Sequence, residues 1–544
     1  MTTKSDLPPG IANVVKASWL PMLIIALAQI QMGFNVSALP VSIGAIVEEF
    51  DTSPSSVGTA LVVYSLMVAG FVMLGSKIGK ILGSRLAFQV GVIGHGVAMA
   101  WMALSQSTAA MMQAQAVAGL AAALLVPSLV VLIANHYRGA QQSQSLGLLG
   151  AAQAIAGVLA FLVVGVLGAL LGWRYSFGLI VIISICVFVL SFRMKSIERN
   201  KHVKIDWVGA LLAALAISLI SLGFNNITAW GMLMAKPDAP YSILGLSLSP
   251  VMIIGGIFLG QSFFAWSHRR QAQNKAPLLA LEVLDTPKER AATYCLFIIA
   301  ALGPAINFLI PLYAQIVQGR SSLETAVIVI PYSLAIFFGT AMVVRLFDRH
   351  TPRRIGRAGF IVVATGLVML AFSIWNDWST PWVIFSLVVI GLGEGSLLTL
   401  VFNVLVSASP KELAGDVGAL RGTTNNLATG LGTAFASVLA VSLLSMIMVR
   451  NLTESPIITE QVIEEQLSLD SIDFVTNEDL DEFIENETDL SPRQEAEIVD
   501  INVESRLRAL KISFLVLAGM AVLAIVPAGG LPDYLPAEIP AEKL

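Results

Sequence analysis

Fourteen apolar stretches, each long enough to cross a bilayer, lie between Trp19 and Ala528 with almost no charge inside them. A hydrocarbon core about 30 Å thick takes roughly 20 helical residues to cross. Backbone groups in lipid must be satisfied within the segment, which restricts such stretches to helices. They fall at 18–46, 57–75, 86–104, 108–135, 145–171, 174–192, 207–227, 249–267, 291–317, 322–346, 358–376, 382–407, 420–448 and 508–528. The chain therefore reads as an all-α polytopic membrane protein whose chemistry sits between helices. Residues are 56% hydrophobic and only 12% charged, against about 25% charged in a soluble domain. Cys186 and Cys295 lie far apart in apolar stretches and read as small buried hydrophobes, with neither a disulfide framework nor a metal site suggested. No small-x-small pattern follows the first apolar run, which reads as a retained helix.

Charge in the connections sets the expected orientation. Those after even-numbered stretches carry Lys77, Lys80 and Arg85, then Arg138, then Arg193 to Lys204, then Arg269 and Arg270, then Arg349 to Arg357. Those after odd-numbered stretches are short and poorly basic. Because basic residues are retained on the cytoplasmic side, both termini are expected there, in a multi-pass protein of the cell (inner) membrane. The exception to short outer connections is the acidic loop 449–507. From Asn451 to Ser505 there are 17 Asp and Glu against one Arg, a net −16 within a chain of net −4. Ser455-Pro456, Asn477 and Ser491-Pro492 read as helix starts. The loop reads either as a helical hairpin over the outer mouth or as a solvated linker.

Internal repetition divides the chain. The basic connection Ser76–Arg85 has a counterpart at Arg345–Arg354, and the small-residue run Gly119-Leu120-Ala121-Ala122 has one at Gly391-Leu392-Gly393-Glu394-Gly395. The expected organisation is a cytoplasmic N-terminus (1–17), a six-helix half (18–192), two inserted linker helices (207–267), a second six-helix half (291–528, holding loop 449–507) and a cytoplasmic tail (529–544). Two repeated halves around a midplane cavity are an architecture of secondary transporters.

A series of local motifs adds to this. Ala38-Leu39-Pro40 closes the first helix, Tyr64 lies in the second and Pro127 in the fourth. Gly172-Trp173-Arg174 precedes the sixth helix, Trp230-Gly231 follows the seventh, and Ala276-Pro277-Leu278-Leu279 precedes the ninth. Pro311 to Gly319 and Pro331 complete the set. In order and spacing the chain resembles the fourteen-helix drug:proton antiporter branch of the major facilitator superfamily, as a divergent member. The resemblance implies the major facilitator fold, with transport rather than enzymatic activity. It also implies charges that are missing: Gln31 stands where the branch has an Asp, Gln115 where it has a buried Arg, and Ala160-Phe161 where it has Gly-Pro. Lys80 replaces the Asp of the first cytoplasmic latch, which predicts a bias away from the outward-facing state. Asp348 keeps the second, and with Arg349, Arg353 and Arg354 is expected to latch the second half.

Ionisable groups inside a membrane are functional candidates. Glu394, about 13 residues into its helix between Gly393 and Gly395, is the candidate proton-coupling or cation-recognising group; the alternative is a neutral carboxyl held by a neighbour. His95 reads as a hydrogen-bonded structural residue. Gln31 and Asn35 stand one turn apart on one face, and with Tyr64, Gln115, Gln153 and Asn307 they are candidates to line the cavity and bind substrate. Bonds across helices are the competing explanation. Arg421 and Arg345 fall near helix ends, where snorkelling or a loop carboxylate can satisfy them.

No Gly-x4-Gly-Lys-Ser/Thr loop is present, and nothing calls for a cofactor or for nucleic acid. The expected function is a monomeric secondary transporter that exports amphiphilic, drug-like molecules by proton antiport and alternating access. Its partners are the substrate, protons and the lipid bilayer. Export of a lipid or lipid-like metabolite, or a membrane scaffold without transport, are the alternatives.

Overall fold

The computed structural model describes residues 17–534 apart from 53, 196–198, 200–202, 237–238, 240, 321, 348, 377–379 and 459–489. Fourteen helices are long and apolar enough to span a membrane. The first half comprises α1 (Leu20–Val41), the short α2 (Ile43–Phe50), α3 (Pro54–Leu82), α4 (Ser84–Ala103), α5 (Thr108–His136), α6 (Gly139–Leu170) and α7 (Trp173–Ser191). The linker holds α8 (Trp207–Asn225), α9 (Ile227–Trp230), a two-stranded hairpin of β1 (Ser242–Ile243) and β2 (Leu246–Ser247), and α10 (Leu248–Ala272). The second half comprises α11 (Pro287–Pro311), α12 (Ser322–Leu346), α13 (Pro352–Ser373), α14 (Thr380–Ala408), α15 (Ala414–Glu454), α16 (Pro492–Leu523) and α17 (Ile525–Ala528).

Helix ends depart from the sequence expectation where local chemistry intervenes. The first span stops at Val41 and α2 begins a new direction. Pro40 withdraws an intrahelical donor, and the Ser42 hydroxyl donates to the Ala38 carbonyl at 2.9 Å. Ser455 ends α15 instead of starting a helix, whereas Ser491-Pro492 does start one, through a reciprocal capping box with Gln494. Asn477 lies outside the described residues. Cys295 is buried as expected, but Cys186 is exposed on its helix.

α15 has 41 residues, about 60 Å of helix, so it stands well beyond a bilayer core. Its C-terminal end pairs with the first turns of α16. Leu452 and Ile498 are buried there, Asn451 donates to Ser505 at 3.3 Å, and Ser455 donates to Glu497 at 2.9 Å. The bounds 449–507 thus contain two helical arms, not loop alone.

Close helix packing in a bilayer relies on small residues, because lipid offers no hydrophobic drive between helices. The repeat seen in sequence is a repeat of this packing. A Cβ at Gly119 of α5 would lie 2.5 Å from the Tyr64 carbonyl of α3, and one at Gly391 of α14 would lie 2.6 Å from the Tyr332 carbonyl of α12. Both exceed what a side chain tolerates, so the two crossings require glycine in the same way.

The halves touch along two seams, α3 and α5 against α15, and α6 against α12 and α14. Gly415, Gly418 and Gly422 meet Ser76, Pro127 and Val72, while Gly147 meets Val344 and Gly150 meets Thr399. These approaches lie towards the face where α1 begins and α17 ends, the terminal face. The α8–α10 hairpin lies against the first seam, with Ala214 beside Gly70 and Asn225 beside Gly430. Asp206, capping α8, accepts from Trp266 of α10 at 3.1 Å and faces Arg270 at 3.4 Å.

Candidate transport pathway and its polar centres

In the first half the mid-depth polar groups are tied to each other. Asn35 of α1 and Gln115 of α5 exchange two amide hydrogen bonds, each 3.0 Å. Gln31 of α1 donates to the Val92 carbonyl at 3.3 Å and meets His95 Nδ1 of α4 at 3.1 Å. Tyr64 of α3 lies edge-on to the same imidazole, ring centroids 6.4 Å apart. Gln31, Asn35, His95 and Gln115 are all 0% exposed. The residues expected to line a cavity are thus spent on holding α1 against α4 and α5. Gln115 is matched by the neutral Asn35 amide, and Gln31 by the Val92 carbonyl and the His95 ring, so neither position buries an Arg or an Asp. Two further candidates differ. Gln153 of α6 is exposed, and Asn307 of α11 is exposed while donating to its own helix at Gly303, 3.0 Å away.

The second half keeps a carboxyl. Glu394 of α14 is buried, its Oε2 accepting from the Tyr332 hydroxyl of α12. Its other oxygen projects into the place where a Cβ on Gly303 of α11 would sit. Three helices of one half therefore converge on this carboxyl, and Gly303 is what lets α11 come so close. Tyr332 carries no sequence signal of its own beyond being the repeat counterpart of Tyr64.

At the terminal face a second carboxylate joins the halves. Asp416, in the first turn of α15, accepts from Lys77 at 2.7 Å and from Lys80 at 2.6 Å, both on α3, and from the Ala280 amide at 3.2 Å. Asp416 is 1% exposed and Lys77 7%. This corrects the expectation drawn from Lys80: its charge does not loosen the first latch but binds an acid in the opposite half.

The expected second latch is divided. Asp348 lies outside the described residues, and Arg349 and Arg354 are exposed. Arg353 holds the C-terminal strap, meeting Asp533 at 2.9 Å and the Leu531 carbonyl at 3.3 Å, while its amide donates to Pro532 at 3.0 Å. Arg345 is exposed. Among the described residues no carboxylate pairs with Arg421 of α15; its guanidinium carbon lies 4.2 Å from the ring centroid of Phe402 on α14.

Two six-helix halves with a helical linker, crossing through repeated glycines and clamped at one face, define a polytopic carrier fold. The family model of the Major Facilitator Superfamily matches residues 25–433, and the chain belongs to that family, one of transporters and not of enzymes. It is 24% identical over 454 residues to the tetracenomycin C resistance and export protein of Streptomyces glaucescens, covering 81% of this chain and 80% of that one. It is 25% identical over 439 residues to the multidrug efflux pump LfrA of Mycolicibacterium smegmatis, covering 80% and 83%. Among solved structures, the human organic anion transporter MFSD10 superposes with a TM-score of 0.56 at 13% identity, covering 94% of this chain and 98% of that one. The proton:xylose symporter XylE gives 0.51 at 13% identity, covering 93% and 94%. At such identity these two speak for the fold alone.

Proposed function

We propose that this chain exports amphiphilic, drug-like small molecules across the cell membrane by alternating access, driven by proton antiport through Glu394. The observation that carries the coupling is the Glu394 site. A carboxyl is enclosed by three helices of one half and held by one hydroxyl donor among the described residues, whereas the groups at matching depth in the other half hold no carboxyl and include a reciprocal amide pair, Asn35 with Gln115. Support for the cargo comes from the relatives, whose names describe export of tetracenomycin C and multidrug efflux. The basic connections at the terminal face support cytoplasmic termini. On that orientation the seams close the cytoplasmic side, and the Lys77–Asp416–Lys80 clamp holds the outward-facing arrangement. Both walls of the pathway belong to one chain, so a monomer suffices. Gln153 and Asn307, exposed on α6 and α11, are the amides we assign to contact with cargo. Gln31, Asn35, Tyr64 and Gln115 shape the wall behind them.

Dye and drug efflux from cells stripped of their own pumps tests the reading, comparing the native chain with Glu394→Gln at matched expression, with and without an uncoupler. Efflux abolished by both is the expected result. Efflux that survives both removes Glu394 and the proton from the mechanism. No efflux over a broad panel, including fluorescent lipids, would return the chain to a scaffold role.

A further inference from the structure

Arg421 lies two turns inside α15, five residues beyond the clamping Asp416. Its neighbour Gly422 meets Val72 of α3 and Val126 of α5, at 2.9 and 3.0 Å from a Cβ placed there. Arg421 therefore sits beside the seam where the two halves converge. It is half-buried, and among the described residues no carboxylate comes within 4.0 Å of it. Phe402, the ring beneath its guanidinium, is 3% exposed and fixed in the core. Asn425 follows one turn later on the same side of α15. It is also half-buried, and its amide has no hydrogen-bond partner among the described residues. Phe402 in turn lies eight residues from Glu394 on α14, about 12 Å along the same helix face.

A guanidinium at membrane depth without a counter-ion is costly, and such groups mark substrate or ion paths. The attraction of a ring face compensates part of the lost hydration, yet it leaves the N–H edge of the guanidinium without an acceptor. That edge offers the paired donors that match a carboxylate, sulfonate or phosphate. The Asn425 amide adds a further donor one turn away.

We propose that Arg421, held over Phe402 and assisted by Asn425, is the subsite for an anionic group on the transported molecule, so that the cargo class is amphiphiles bearing one oxyanion. The inference rests on the export reading above and names the charge of its cargo. It places the acidic head of the molecule at the floor of the pathway, with the apolar body directed toward the level of Glu394.

The test uses the full chain in phosphatidylcholine nanodiscs and three fluorescent amphiphiles with one scaffold, bearing a sulfonate, a neutral amide or a quaternary ammonium. The native chain is expected to bind the sulfonate about tenfold more tightly than the amide. Arg421→Gln should erase that preference while leaving the amide's affinity within about twofold, and Arg421→Lys should keep part of it. Thermal melts of both variants exclude a folding defect as the cause. A preference that Arg421→Gln leaves untouched, or equal weakening of all three probes, overturns the inference while the export reading stands. Binding of none of the three by the native chain overturns both. Adding phosphatidylglycerol to the discs identifies the source of the oxyanion. Competition against the sulfonate probe that Arg421→Gln abolishes assigns it to a lipid headgroup; its absence assigns it to a free amphiphile.

Discussion

Tyr64 in α3 and Tyr332 in α12 occupy matching places in the two halves. Each presents its backbone carbonyl to a glycine of the helix that crosses it, Gly119 or Gly391. Their side chains have different neighbours. Tyr64 lies edge-on to His95 in a cluster closed by Gln31, Asn35 and Gln115, while Tyr332 donates to Glu394. The scaffold was duplicated and the chemistry was not. Reciprocal amide bonds fix one arrangement and carry no charge, so the first half is built to hold its helices together. A carboxyl changes its hydrogen bonding when its proton leaves, so on the proposed coupling the second half is the one that responds.

The contrast is broken most directly by exchanging its extremes. Glu394→Gln should lower proton-driven efflux about a hundredfold, the scale on which proton-transfer groups act. Gln31→Leu should change it by no more than about threefold, in line with the modest worth of one polar bond between membrane helices. Efflux measured against an imposed pH gradient ranks the two. A larger loss for Gln31→Leu would relocate the coupling to the first half and reverse the comparison.

The clamp that joins the halves comes next. Asp416→Asn would leave Lys77, with 8% of its side chain exposed, inside the seam without its acid. Removing one partner of a buried pair costs about 3–5 kcal/mol. The lower end applies here because Lys80 keeps 27% of its side chain exposed. Spin labels on the terminal ends of α3 and α15 should show the distance distribution moving to longer separation. The triple exchange Lys77→Asp, Lys80→Asp, Asp416→Lys should recover part of the short population. A distribution unchanged in Asp416→Asn would show that glycine packing alone closes the seam.

How far the sequence reached follows from range. Spans and halves are written in local hydropathy and in repeated glycines, so they were legible. Asp416 was not, because nothing near it in sequence shows that two lysines 339 and 336 residues earlier come to it. Gln31 and Asn35 could be placed on one face from their spacing. Whether that face met a cavity or other amides depended on Gln115 and His95, on two other helices. Glu394 was visible as a lone acid in an apolar helix, but its donor Tyr332 and the glycine that admits it were not. Arg421 does lie near the start of its helix, but its ring partner Phe402 belongs to another helix and left no mark near it in sequence.

Within the first half, the amide pair offers a smaller effect. Gln115→Leu strands the Asn35 amide, and an unsatisfied buried polar group costs about 1–3 kcal/mol in proteins, nearer 1 for a membrane helix pair. Asn35→Leu in addition removes the stranded group, so the double variant should be more stable than Gln115→Leu alone. Unfolding of the four members of the cycle in mild detergent gives the coupling directly. Additive losses would mean that the pair does not act as one unit.

The smallest effect concerns the charged contact at the rim of the first half away from the terminal face, where Glu49 on α2 accepts from Arg174 and Trp173 at the start of α7. Burial pushes the Glu49 carboxyl up, but the hydrogen bonds and charge of Arg174, with the Trp173 indole, outweigh it and hold the group below its ordinary value of 4.5. A carboxylate lowered in this way stabilises the fold above its unfolded value and loses that contribution as pH falls through the folded one. Glu49 is nearly half exposed, so water screens the pair, and exposed pairs of this kind are worth about 0–1 kcal/mol. Melting curves of native chain and Glu49→Gln should therefore run slightly apart at neutral pH and merge as the pH drops below the ordinary carboxylate range. Curves that stay apart in acid would show that Glu49 acts through packing against Trp173. The Glu49 charge itself would then lack a structural role, sharpening the contrast with Glu394.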